Sequence, residues 1–172
     1  MKTLLQRIRL WFRQLLGLDR HHLSAYGRLY ARVWRHGVGW IQLGLIATKK
    51  VTQAFTEHLV DSLQNQTTKP IDTFKYHDSG TGVTAESNAQ TALITPCGES
   101  RDVGTQLEGA TANVYKSVAT HTYAGPFAIT EHGLFSASSG PTMMDRSVFA
   151  AINVLSGEKI EFTYELTVNP EA

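Results

Sequence analysis

The sequence predicts an α+β chain: basic amphipathic helices over residues 1–66, followed by an antiparallel β-sandwich over residues 67–172. Three observations carry this expectation. First, the segment Glu161–Val168 alternates without a break, placing Phe162, Tyr164, Leu166 and Val168 on one side and Glu161, Thr163, Glu165 and Thr167 on the other. A period of two is that of a half-buried strand. Second, Leu4, Leu5, Ile8, Trp11, Phe12, Leu15 and Leu16 recur at helical spacing, within an arc of about 140° at 100° per residue. Third, charge divides with the same polarity: residues 1–50 hold ten basic side chains against one acid, net +9, and residues 51–172 hold six against fourteen, net −8.

The basic half reads as a series of helices. Lys2, Arg9, Arg13 and Arg20 cluster beside the apolar arc of the first, and Gly17 is a stop. Asp19 or Ser24 caps a second helix that runs to about Arg35, where Gly37-Val-Gly39 breaks the pattern. A third runs from about Val51 to Leu63, with Val51, Phe55, Leu59 and Leu63 at i, i+4 spacing. Asn65-Gln-Thr-Thr-Lys-Pro70 then forms a polar boundary.

Beyond it the expected strands are Ile71–His77, Ala92–Thr95, Asn113–Tyr123, Ala128–Ser136, Val148–Leu155 and Lys159–Val168, with Ser156-Gly157 joining the last two as a hairpin. Gly80-Thr-Gly82, Gly98, Gly104, Gly109, Gly125-Pro126 and Gly140-Pro141 punctuate them. No segment alternates strand with helix as a parallel sheet requires, so a sandwich is expected.

The residues argue against several functions. His77-Asp78-Ser79 holds the residue types of a hydrolase triad, but neighbours on a strand face opposite ways and cannot form the relay. Gly80-Thr-Gly82 lacks the third glycine and following helix of a dinucleotide site, and glycine's freedom at positive φ accounts for it as a turn. The seven histidines show no His-x-x-x-His and no Cys-x-x-Cys beside them, so neither metal nor cofactor is expected. Glu131 and His132 read as strand neighbours on opposite faces, and Asp145-Arg146 as the opening of a strand that ties down the preceding turn. Cys97, the single cysteine, excludes an intramolecular disulfide and suits a reducing compartment. No enzymatic activity is expected.

The basic segment admits several partners. Arg7, Arg9 and Arg13 interrupt any secretory core, and the uncharged run Gly37–Thr48 is too short for a membrane span. A membrane surface or a nucleic acid could attract it. The favoured expectation is an arm packed on partner subunits, its arginines meeting acidic patches, including those of its own β domain. Its contact residues would be Leu4, Ile8, Arg9, Trp11, Phe12, Arg13, Leu15, Trp34 and Trp40.

The wording of the β region resembles a pattern recurrent in tailed-bacteriophage virion proteins. The residues concerned are Lys75–Thr84, Thr91-Ala-Leu93, Arg101, Ile129–Phe135, Asp145–Phe149 and Ile152-Asn-Val154, covering about residues 45–168. The resemblance implies a virion component, made in the host bacterial cytoplasm and built into a multi-copy assembly or homo-oligomer with the major capsid protein or tail proteins. The expected role is a capsid-associated decoration, cement or minor head protein. The alternatives are a tail component, fibre-proximal or connector, and a membrane- or nucleic-acid-binding accessory protein using residues 1–50.

Overall fold

The alternating C-terminal segment forms a strand, β9 (Lys159–Asn169), and its two neighbours decide the architecture. One is β6 (Val114–Thr122), with Ser117 opposite Tyr164. The other is β1 (Ser24–Arg35), antiparallel from Ser24–Asn169 to Trp34–Lys159. The computed structural model of the chain describes residues 24–140 and 142–169. The helix expected at Leu4–Leu16 lies outside them, as do Leu4, Ile8, Arg9, Trp11, Phe12, Arg13 and Leu15.

The helix expected to run to Arg35 is therefore corrected to a strand. Leu29, Ala31 and Val33 are buried, and Arg28, Tyr30, Arg32 and Trp34 lie on the other face. Tyr30 and Trp34 count as apolar at either period, which hid the alternation. Gly37, with φ of 73°, and Gly39, with φ of 87°, form the tight turn into β2 (Gly39–Lys50). The expected boundary at residue 66 is corrected with it, because the sheet-forming chain includes β1 and β2.

The first sheet has the order β2-β1-β9-β6-β5, with β5 spanning Thr105–Glu108. The second has the order β4-β3-β7-β8, from β3 (Tyr76–Gly80), β4 (Asp102–Val103), β7 (Phe127–Phe135) and β8 (Met143–Val154). Every pairing is antiparallel. The sheets pack as a sandwich around Leu29, Val33, Ile160 and Phe162 from the first and Ile129, Leu134, Ile152 and Val154 from the second. Burial of such a face supplies the main driving force.

The helix expected at Val51–Leu63 is present as α1 (Gln53–Gln64). Thr52 caps it by accepting from the Phe55 N–H at 3.1 Å, and its own N–H donates to Met144 O at 2.9 Å. The face it buries is Phe55, His58 and Ser62, whereas Leu63 is exposed. Ile71–Thr73 forms a 3-10 turn after Pro70 rather than the start of a strand. Ala92–Thr95 forms no strand, because its N–H groups serve another purpose, described below.

Gly27 tests the corrected strand. A Cβ there would lie 2.5 Å from the buried Tyr164 hydroxyl across the β1–β9 pair. We expect Gly27→Ala to lose about 1–3 kcal/mol from overpacking. In an exposed helix the same change would gain up to about 1 kcal/mol. The urea midpoint of the variant, lower or higher than wild type, separates the two.

Candidate functional site

The phrase Glu131-His-Gly133 on β7 faces two ways, as its alternation requires. Glu131 points toward the long connection between β3 and β4. Its carboxylate accepts from the N–H groups of Thr95 at 2.7 Å, Ile94 at 3.1 Å and Gly82 at 3.1 Å, and from Arg146 Nε at 2.7 Å. Burial disfavours its charge, but these donors outweigh that effect and hold its pKa below the usual carboxylate value. Arg146 continues the network from β8, donating to Thr84 O at 3.0 Å and Gln90 Oε1 at 3.2 Å.

The arrangement corrects two expectations. Gly80 and Gly82 do not adopt positive φ. They are glycines because a Cβ at Gly82 would lie 2.5 Å from Glu131 Oε1, and one at Gly80 would strike the Thr95 carbonyl. Arg146 ties the β3–β4 connection rather than the turn before its own strand. That turn is held by Arg101, which donates to Ala137 O at 2.8 Å and Gly140 O at 3.1 Å, with its guanidinium 3.5 Å from the Phe135 ring centre.

His132, the inward-facing neighbour, lies between the sheets with its Nε2 3.0 Å from His77 Nδ1, and His77 Nε2 lies 2.8 Å from Ser117 Oγ. All three side chains are buried, so no substrate reaches this chain of groups. Burial lowers the His77 pKa to about 3 and the His132 pKa well below its ordinary value. Nearby, Asp78 lies 3.5 Å from Arg101 Nε, and Ser79 Oγ is 3.0 Å from the Tyr123 hydroxyl. The His77-Asp78-Ser79 triplet is thus dispersed among three separate sets of partners.

His121 sits between Asp102 and Glu99, with Nε2 2.6 Å from Glu99 Oε2. Burial opposes its charge, but the two carboxylates outweigh it and raise its pKa. No group of three or more His, Cys, Asp or Glu side chains among the described residues is placed to hold a metal. The Cys97 thiol is pushed up to about 11, chiefly by burial, which leaves it protonated and unreactive at neutral pH.

The surface offers a different kind of site. β2, of twelve residues, is an edge strand among the described residues, where it pairs with β1 alone. Trp40, Ile41, Leu43 and Leu45 are 40, 38, 39 and 52% exposed along it. No charge or proline interrupts Gly39–Thr48, so this stretch lacks the residues that discourage strand-to-strand pairing, which return only at Lys49 and Lys50. Two register shifts against β1, with Gly44 at φ 74°, bend it locally.

Of the expected contact residues, Trp34 and Trp40 are brought together as a cross-strand pair beside the turn. Trp34 is half-buried, and Trp40 lies under Arg32, 4.4 Å from its guanidinium. Ile41, Leu43 and Leu45 were not anticipated. Their signal was the uncharged run Gly37–Thr48, considered only as a short membrane helix. Several arginines and lysines of the basic half do meet acids of the β domain: Arg32 with Glu161 at 2.7 Å, Arg35 with Glu158 at 2.5 Å and Lys49 with Glu86 at 3.0 Å. Among the described residues no helix is long and apolar enough to cross a membrane. Comparison with protein-family models, curated proteins and solved structures gave no match.

Two outcomes follow for the buried network. Arg146→Met strands the Glu131 charge and is expected to cost about 3–5 kcal/mol, part of which Glu131→Gln on the same chain recovers. A double variant whose loss equals the sum of the two single losses, read from denaturation midpoints, would show that the pair is not coupled. The histidines predict an acid-labile fold. Each has an ordinary pKa of 6.5, so the unfolded chain gains protons below it while the folded pair stays neutral, and stability falls from about pH 6.5 toward about 3. Asp145, raised to about 7 by burial, acts in the opposite sense: its contribution is full below 3.8 and is lost as pH rises through about 7. His121, raised, also opposes the pair. The informative comparison is therefore His77→Gln with wild type at pH 7 and pH 4.5: the variant's urea midpoint should fall less between the two.

Proposed function

We propose that this chain is a non-enzymatic structural protein of a tailed-bacteriophage virion, a capsid-associated decoration or cement protein that joins neighbouring subunits. The observation that carries the proposal is the β2 edge, unpaired on its outer side among the described residues and uncharged from Gly39 to Thr48. Such an edge takes up a strand from a neighbour, with main-chain hydrogen bonds giving affinity and Trp40, Ile41 and Leu43 giving selectivity. The resemblance of the β3, β7 and β8 wording to virion proteins supports the same reading. Each contact is weak, and a symmetric shell repeats it many times, which raises the effective concentration of every later contact.

The accessory reading, in which residues 1–50 bind nucleic acid or membrane, draws less support. Arg32, Arg35 and Lys49 are occupied by Glu161, Glu158 and Glu86, which removes three cations from any continuous basic surface among the described residues.

The test is the number of copies per purified virion, by quantitative mass spectrometry against the major capsid protein. Hundreds in fixed ratio to the shell are expected. About three to twelve would move the protein to the tail or portal axis, and absence from the particle would overturn the virion role. Ile41→Lys with Leu43→Lys places charge on an exposed edge, so folding should be preserved and binding to preformed shells lost. Unchanged shell binding would remove β2 from the interface.

A further inference from the structure

The end of β2, the start of α1 and the β3–β4 connection together line a polar pocket of about 470 Å³. Lys49 and Lys50 come from β2, Thr52 is the cap of α1, Ser87 and Asn88 belong to the connection, and Arg146 comes from β8. Backbone bonds hold these pieces together. The Thr52 N–H donates to Met144 O at 2.9 Å, and the Gln53 N–H donates to Asn88 O at 2.7 Å.

The lining is cationic. The Arg146 side chain is only 1% exposed, with Nε donating to Glu131 and Nη1 to Thr84 O and Gln90 Oε1. Its Nη2 is buried and has no hydrogen-bond partner among the described residues. Buried donors are ordinarily paired, and those on a charged group most of all. Lys50 is exposed and adds a second charge. The start of α1 adds the positive end of a helix dipole, with no acidic side chain in its first turn. Glu86, the acid of the lining, is already engaged at both oxygens. Lys49 Nζ lies 3.0 Å from Oε2, and the Val148 N–H donates to Oε1 at 2.6 Å.

We infer that this pocket binds a phosphate group, free or as the monoester of a small polar molecule. Arg146 Nη2 and Lys50 supply charge, and Ser87 and Asn88 supply polar contacts to the remainder. A phosphate monoester carries about −1.5 to −2 at neutral pH, which suits two cations and a helix start better than a single carboxylate charge does. The volume falls within the range of small-molecule sites, about 300–1,000 Å³. No aromatic side chain lines it, so a nucleobase would find no platform for stacking. The inference rests neither on the virion role nor on the β2 edge.

The test follows amide NMR shifts of the isotope-labelled full chain during titration with inorganic phosphate and, separately, with glycerol phosphate. Ionic strength is matched with chloride. Saturable shifts are expected at Gln53, Ser87 and Asn88, with a dissociation constant on the order of 1 mM or tighter. Lys50→Gln, at an exposed position, should weaken binding severalfold. Glu86→Gln removes an acid from the lining and should tighten it, whereas the exposed Lys69→Gln should leave it unchanged. If Glu86→Gln fails to fold, Lys50→Gln alone decides. Whichever ligand saturates at the lower concentration identifies the source of the phosphate, ester or free ion. No saturable shift from either by about 10 mM overturns the inference. So do shifts that chloride reproduces, or binding indifferent to Lys50→Gln. None of these readings involves a virion, so failure here leaves the copy-number test untouched.

Discussion

A carboxylate with no solvent exposure organises the second sheet. Removing Glu131 and Arg146 from water costs several kcal/mol per ion unless their hydrogen-bonding capacity is met. Here it is met largely by backbone: three N–H groups of the β3–β4 connection converge on Glu131, and Thr84 O accepts from Arg146. The connection from Thr81 to Arg101 contains no helix or strand, which is long for an irregular segment inside a packed domain. Its backbone groups form a single isolated bridge, Gly80 with Pro96, rather than a continuous ladder. The buried ion pair takes the place of that ladder. One pair therefore sets the identity of Gly80 and Gly82, the burial of Leu93 and the course of the chain across the sheet edge.

The first sheet rests on a different principle. β9 is its centre, and the strand on its outer side comes from the basic half of the sequence. The charge division that suggested two separate partners is in part consumed within one sheet, where Arg32 meets Glu161 and Arg35 meets Glu158. The half-exposed Arg32–Glu161 pair contributes little to stability, but it lies directly across β1 and β9, where opposite charges favour one register over its neighbours. Charge asymmetry along a chain is thus as compatible with internal pairing as with external binding.

Much of the β region was legible because its strands are half-buried and alternate cleanly. β6, β7 and β9 fall within two residues of their expected bounds. β1 was misread because arginine and aromatic side chains occupy its outer face, and Tyr30 and Trp34 satisfy a helical period as well as a strand period. β4 and β5 are too short to show any period. The histidine pair and the Glu131–Arg146 pair were invisible for a deeper reason. Sequence alternation says which face a polar residue occupies but not whether a partner awaits it there, and His132 and Glu131 are buried on opposite faces of one strand.

The two halves of this account bear on each other. The sandwich commits Glu131, Arg146 and His77 to internal partners, and two apolar features of its surface remain. Beside α1 that surface is concave and apolar, and along β2 it is a locally bent edge whose outer backbone groups have no strand partner among the described residues. These are the two ways a sheet protein can accept another piece of polypeptide, by side-chain burial or by strand addition. They also differ in what they require of the incoming chain. Burial in the groove demands an apolar segment of matching shape. Pairing along β2 demands only extended backbone, and so would admit a neighbour of unrelated sequence.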